Sequence, residues 1–344
     1  MQQQEIHLRR FMEHQPDECA LEELELPTVD LEAEEPSLTE QLAAACRDPG
    51  VFRLVNHGVP CDLTARLFGL ARGLLELDAA NKSRLPGYFC GTPALAALPV
   101  KQLNWLEGLH VEADDTGDRS HSSADAADGE AGGSALAEFM EAVSGEYVAH
   151  MARIARKLFD TLACGELGLD EEQRASYLTE RGCIFRAYRY PATASGAGRR
   201  QLGMEAHTDS SVLSILNQDR VGGLQVLYGG RWLAMRPMEG ALVVNVGDML
   251  QAMSGGAYRS PEHRVVAPGW TEVDRMSLCY FAFPQEDAVI VGPPSACRQE
   301  ELYRAFSYRE FREQVQADVK ASGSKVGLAR FRVPRAEKAF TPTN

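Results

Sequence analysis

Basic residues are in short supply in this chain: 35 Lys and Arg stand against 49 Asp and Glu in 344 residues, a formal charge of −14. That balance argues against nucleic acid or an anionic membrane as partner, because both select for clustered cations. Long apolar runs are absent as well. No stretch approaches the roughly 18 consecutive apolar residues that suggest a membrane helix, and the opening "MQQQEIHLRR" has no apolar segment of the secretory type. The expectation is a soluble protein of the cytoplasm, with the nucleus as a second compartment. Cysteine is sparse: 8 residues, scattered, with no Cys-x-x-Cys. A disulfide framework is therefore not expected, and reduced thiols are. The hydrophobic share of 44% is that of an ordinary globular chain.

What is present changes character along the sequence. "LELPTVDL" (24–31) and "VFRLVNHGVP" (51–60) read as strands. Between them "SLTEQLAAACRDPG" (37–50) reads as a helix, with Ser37 and Glu40 at capping-box spacing. "DLTARLFGLARGLLEL" (62–77) carries an apolar helical face. Residues 113–135 are small, polar and acidic, a loop that can bury little. From Leu136 to Leu162, apolar residues recur at steps of three and four, the stripe of a long core helix.

From Cys183 onward the period shortens. Seven or eight strand-like runs follow one another, punctuated by Gly, Pro, Asn and Asp and with no helix expected between them. Gly229-Gly230 suits a tight hairpin between Leu224–Tyr228 and Arg231–Met235. Such a series suggests a barrel or a jelly roll. Ser307 and Glu310 repeat the capping-box spacing ahead of a closing helix with Phe311, Val315 and Val319 on one face. The chain thus divides into a mixed N-terminal region (1–112), the low-complexity loop (113–135), a supporting helix (136–180), a strand-rich core (181–290) and a C-terminal helix and tail (291–344).

Within the core, "EAHTDSSVLSI" sets His207 two residues before Asp209 at the head of an apolar run. Composition alone supplies roughly one His-x-acid step in a chain of this make-up, and a second exists at His110-Val-Glu112. The pair therefore needs corroboration. In a strand, residues i and i+2 face one way, about 6.6 Å apart. A third ligand of suitable type is His263 in "SPEHRVVAP". Two imidazoles and one carboxylate on one side of a metal leave the other side open, an arrangement suited to non-haem Fe(II). Beyond it, Arg275 and Ser277 in "RMS" share a face. A planar guanidinium fork entering an apolar core calls for an anion, either a co-substrate carboxylate or a local acid such as Glu272 or Asp274.

H-T-D, then His-Arg-Val, then R-x-S resembles the plant 2-oxoglutarate- and iron-dependent dioxygenases. The likeness extends over "GGRWLAMRP", "ALVVNVGDMLQAMSGGAYRSPEHRVVAP" and "RMSLCYFAFP". Within that family, "CGTPALAALPVKQLNWLEGLHV" (90–111) and "YREFREQVQADVKASGSKVGLARF" (308–331) look most like the gibberellin 2-beta-dioxygenases of the C20-gibberellin branch.

The resemblance implies a mainly β protein with flanking helices and a double-stranded β-helix core, jelly-roll and cupin-like. It implies Fe(II) on His207, Asp209 and His263, with 2-oxoglutarate held by Arg275, Ser277 and Tyr190. It further implies O₂ as oxidant, ascorbate as reductant, and C2 hydroxylation of a gibberellin-like carboxylic acid by a monomer or weak homo-oligomer. The alternatives are another oxidation step in the same family, on a gibberellin, flavonoid or other small metabolite, or a cupin-like binding protein. The sequence departs from the family at Tyr188, where Asn is usual, at Pro49, where Trp is common, and at "ATASG" after Pro191.

Overall fold

The computed structural model describes residues 22–91, 104–112, 130–180, 182–192, 202–268, 272–293 and 302–334. Much of the segment between Cys90 and Leu106, Lys101 included, lies outside the described residues, as do 113–129 of the low-complexity stretch.

Twelve strands build the two main sheets. In chain order they are β1 (Thr28–Asp30), β2 (Val51–Val55), β3 (Tyr88–Cys90), β4 (Glu107–Glu112), β5 (Ile184–Tyr190), β6 (Leu202–His207), β7 (Leu213–Gln218), β8 (Leu224–Tyr228), β9 (Arg231–Ala234), β10 (Leu242–Val246), β11 (His263–Val266) and β12 (Arg275–Ala282). The larger sheet runs β1-β2-β10-β7-β12-β5-β4-β3 and the smaller β6-β11-β8-β9. This is the expected strand-rich jelly roll with flanking helices.

The period-2 alternation of each strand explains the layering. On β12, Met276, Leu278 and Tyr280 face the helices, where they join Phe185, Ala187 and Ile215. The intervening residues, Arg275, Ser277 and Cys279, face the smaller sheet. Tyr188, Tyr190 and Leu216 meet Leu224, Val226 and Val265 there, in a second apolar cluster between the sheets. The functional residues occupy this inner layer.

The helix side is led by α1 (Ser37–Arg47) and α2 (Cys61–Leu75). A long rod then starts as α3 (Glu130–Glu141), passes a π-type turn (Ala142–Tyr147) and continues as α4 (Val148–Leu162). It begins six residues before the expected Leu136, because "EAGGSA" (130–135) has no large apolar residue to extend the stripe. Phe139, Val143, Tyr147 and Met151 are fully buried at steps of four. Each such step drifts about 40° around a helix of 3.6 residues per turn, and the wider π turn absorbs the drift.

Three expectations need correction. Ser37 is the first helical residue and not a cap: Pro36 holds the cap position, and Ser37 Oγ accepts from Gln41 Nε2 instead. At the chain's other end only half the box forms. Ser307 accepts from the Glu310 N–H at 3.1 Å, while the Glu310 carboxylate turns to Arg304. A complete box occurs instead at Asp170 and Gln173. The strand series is also interrupted, by the short helix Asp248–Met253 after β10. The Gly229-Gly230 hairpin forms as expected, with both residues at positive φ (56° and 78°), the geometry for which glycine is suited. Among the described residues no helix is long and apolar enough to cross a membrane.

Candidate active site

Antiparallel pairing of β6 with β11 sets His207 directly opposite His263 across the ladder. The 56 positions between them in sequence collapse to one cross-strand pair, with ring centroids 4.4 Å apart. Asp209 completes the group. Its carboxylate oxygens lie 3.7 Å from His207 Nε2 and 3.8 Å from His263 Nε2. Strand phase was expected to bring Asp209 to the group, but the strand ends at His207 and Asp209 does not arrive that way. It sits in the following turn and is brought round by the bond from the Asp248 N–H to the Asp209 carbonyl, 2.8 Å.

Both imidazoles have their tautomers fixed from behind. Nδ1 of His207 lies 2.8 Å from the Glu205 carbonyl, and Nδ1 of His263 lies 3.1 Å from the Pro261 carbonyl. Each Nδ1–H donates there, which leaves each Nε2 as a lone-pair donor toward the centre. Desolvation and the neighbouring His263 lower the His207 pKa to about 4, so this ring stays neutral near pH 7. Burial raises the Asp209 pKa, but the two imidazoles outweigh it and hold the carboxyl below its ordinary range. The three ligand atoms lie within 4.8 Å of one another, the one such cluster among the described residues. Two imidazole nitrogens, one carboxylate oxygen and an open side are the donor set of a non-haem Fe(II) centre, and the residues fit that metal.

Register also explains the second group. Arg275 pairs with Tyr190, and Ser277 pairs with both Tyr188 and Gln218. Arg275 is 1% exposed. Its Nη1 donates to Ser277 Oγ at 3.1 Å, its Nη2 to Gln218 Oε1 at 3.0 Å, and its guanidinium lies 4.8 Å from the Tyr190 ring centre. The local acid offered as its partner is committed elsewhere: Asp274 pairs with Arg189 at 2.6 Å. Arg275 Nε and Gln218 Nε2 are buried donors without an acceptor among the described residues. Unsatisfied buried donors are costly, and a carboxylate from 2-oxoglutarate suits this pair. Burial pushes the Tyr190 phenol well above its ordinary range, so it stays protonated and able to donate.

Gly203 lets the two sheets meet here. A Cβ on it would lie 2.5 Å from the Tyr190 ring. Gly203→Ala is therefore expected to displace Tyr190 and raise the KM for 2-oxoglutarate about two- to tenfold, the range of one lost hydrogen bond. Steady-state titration of the co-substrate checks this, and an unchanged KM would remove Tyr190 from the clamp.

A second cation faces the same interior. Arg186 Nε donates to His110 Nδ1 at 3.1 Å and Nη1 to Tyr188 Oη at 3.2 Å, with the Phe89 and Phe281 rings on either side. The nearby Tyr188, and more distantly Asp209, favour its charged form. His110 thus belongs to this group and not to a second metal site. Sequence reading missed Gln218, although it ends the inward-facing series Ser214, Leu216, Gln218 on β7. It also missed Asp248 and Lys325, for which the sequence offers no local signal.

The sequence pattern of the 2OG-Fe(II) oxygenase superfamily matches residues 181–284, and that described as non-haem dioxygenase in morphine synthesis N-terminal matches residues 26–128. The chain is 35% identical to gibberellin 2-beta-dioxygenase 8 of Arabidopsis thaliana, over 91% of this chain and 88% of that one. It is 36% identical to gibberellin 2-beta-dioxygenase 5 of Oryza sativa subsp. japonica, over 91% and 89%. Among solved structures, a dioxygenase for auxin oxidation from rice superposes with a TM-score of 0.67 at 27% identity, covering 90% of this chain and all of that one.

Proposed function

Because this chain belongs to the 2OG-Fe(II) oxygenase superfamily, we propose that this Fe(II)- and 2-oxoglutarate-dependent dioxygenase hydroxylates a gibberellin at C2, an inactivating step for the hormone. Similarity to two gibberellin 2-beta-dioxygenases over nine-tenths of the chain supports the substrate class. The observation in the chain itself that carries it is Arg186, a largely buried cation bonded to His110 and Tyr188 and, among the described residues, to no carboxylate. A compact, mostly hydrocarbon acid would place its carboxylate on that cation and its skeleton against Phe89, Leu216 and Phe281.

In this reading His207, Asp209 and His263 hold the metal. Fe(II) there supplies the redox chemistry that couples decarboxylation of 2-oxoglutarate by O₂ to oxidation of a C–H bond. The protein does the rest by position. Arg275, with Ser277, Gln218 and Tyr190, grips the far carboxylate of 2-oxoglutarate and fixes its direction. The apolar layer of Leu216, Val226, Val243 and Val265 keeps bulk water from the reacting centre. Arg186 fixes the substrate acid, so that one carbon is presented.

The two cations make separable predictions. Arg186→Met should raise the gibberellin KM about tenfold or more, the loss of one charged hydrogen bond of roughly 1.5–3 kcal/mol, with the 2-oxoglutarate KM little changed. A shift confined to 2-oxoglutarate would reverse the two assignments. The substrate reading is tested by mass spectrometry of products from a gibberellin panel with Fe(II), ascorbate and 2-oxoglutarate. A single added oxygen at C2 is expected. Oxidation at another carbon would keep the enzyme class and refute the C2 assignment.

A further inference from the structure

The loop that carries Asp209 is gripped by a residue from the far end of the chain. Lys325 Nζ donates to the Thr208 carbonyl at 2.9 Å and to Ser210 Oγ at 2.9 Å, and it pairs with Asp248 at 2.6 Å. These contacts use the three N–H groups of an ammonium. They bracket the metal-ligating carboxylate on both sides.

The other side of the loop is zipped to the start of the short helix. Besides the Asp248–Asp209 bond, Gly247 N–H donates to the Val212 carbonyl at 2.9 Å and Met249 N–H to the Ser211 carbonyl at 3.1 Å. The approach is so close that a Cβ on Gly247 would lie 2.0 Å from the Ser211 carbonyl oxygen. Asp248 ties both sides together. Its buried carboxylate accepts from Thr208 Oγ1 at 3.2 Å and meets Lys325.

Lys325 is itself held in place. It follows the C-terminal helix Tyr308–Ser322, whose capping Gly323 turns the chain at φ 77°. Arg330 pairs with Asp318 of that helix at 2.7 Å, and the Phe331 ring packs on Phe306 and Phe311. Gly327, at φ 65°, lets the tail fold over the clasp, since a Cβ there would lie 3.0 Å from Lys325 Cε. Packing the tail would need only its apolar rings. The ammonium instead reaches past them to the backbone beside Asp209.

We propose that Lys325 is a positioning residue, through which the C-terminal tail holds the His207–Ser210 loop in metal-ligating geometry. The inference rests on the metal reading of the triad. Its consequence is that metal affinity depends on a residue more than a hundred positions downstream of His207 and Asp209. Loss of an outer partner that orients a metal ligand typically costs about 10–100-fold in affinity.

The test is calorimetric titration of Co(II) into the metal-free full-length protein. Lys325→Met alone would strand a buried carboxylate, so the balanced pair Lys325→Met with Asp248→Asn is used, with circular dichroism to verify folding. Ser210→Ala is the gentle companion, removing one neutral acceptor of the ammonium and no charge. The pair should bind Co(II) about 10–100-fold more weakly, and Ser210→Ala about two- to tenfold more weakly. Should the pair fail to fold, Ser210→Ala decides. Wild-type affinity in folded variants would overturn the proposal and reduce Lys325 to a packing role. Failure of the unaltered protein to bind Co(II) would instead strike the metal reading itself.

Discussion

Replacing any one of His207, Asp209 or His263 by alanine should abolish turnover while leaving the protein folded. Each residue is one of three candidate ligands among the described residues, and the donor atoms converge within 4.8 Å. Metal-centred stabilisation is worth several kcal/mol, so its loss corresponds to about three orders of magnitude or more in rate. The fold should survive because the strand pairing through β6 and β11 is made by backbone groups. Neither His contributes to the apolar cluster between the sheets. Succinate release and product formation measure the loss, and circular dichroism verifies the fold. A folded single variant with ordinary activity at ordinary iron levels would dissolve the assignment.

The second large effect concerns the co-substrate. Arg275→Lys should raise the 2-oxoglutarate KM about ten- to hundredfold, the equivalent of one charged hydrogen bond of roughly 1.5–3 kcal/mol. Lysine keeps the charge and loses the fork. In the protein that fork already spans Ser277 and Gln218 and lies on the Tyr190 ring. A point charge cannot hold both partners and present two parallel donors to a carboxylate. Ser277→Ala should cost less, because it removes a neutral donor. The order of the two effects is the informative part. If Ser277→Ala proved the more damaging, or if Arg275→Lys changed only the gibberellin KM, Arg275 would be holding the substrate acid.

How far the sequence could be read follows from where each contact is encoded. The i, i+2 phase of Arg275 and Ser277 lies within one strand, so spacing alone put them on one face. The Gly229-Gly230 turn and the Phe139–Leu162 stripe are equally local, and both were legible. His263 could be nominated by residue type, while the reason it meets His207 is sheet register, which spacing does not contain. Asp209 was placed in the group for the wrong physical reason. The strand stops at His207, and the carboxylate is delivered by a turn pinned from Asp248 and Lys325. Those two residues were invisible because their partners lie about 40 and 117 positions away and neither sits in a patterned element. The helix Asp248–Met253 was hidden by its length, since six residues inside a strand-rich run show too little periodicity to separate helix from buried strand. Ser37 shows the limit of capping signatures: the spacing is present, but the helix begins one residue earlier than the box requires.

The proposed clamp and the triad together require a coupled reaction, and isotopic labelling tests that coupling most directly. The unaltered protein would be turned over with its accepted gibberellin, Fe(II), 2-oxoglutarate and isotopically labelled O₂, and succinate and hydroxylated product quantified by mass spectrometry. Equal amounts of succinate and hydroxylated gibberellin are expected, with one labelled oxygen in the succinate. Product formed without succinate, or succinate free of label, would contradict the coupling.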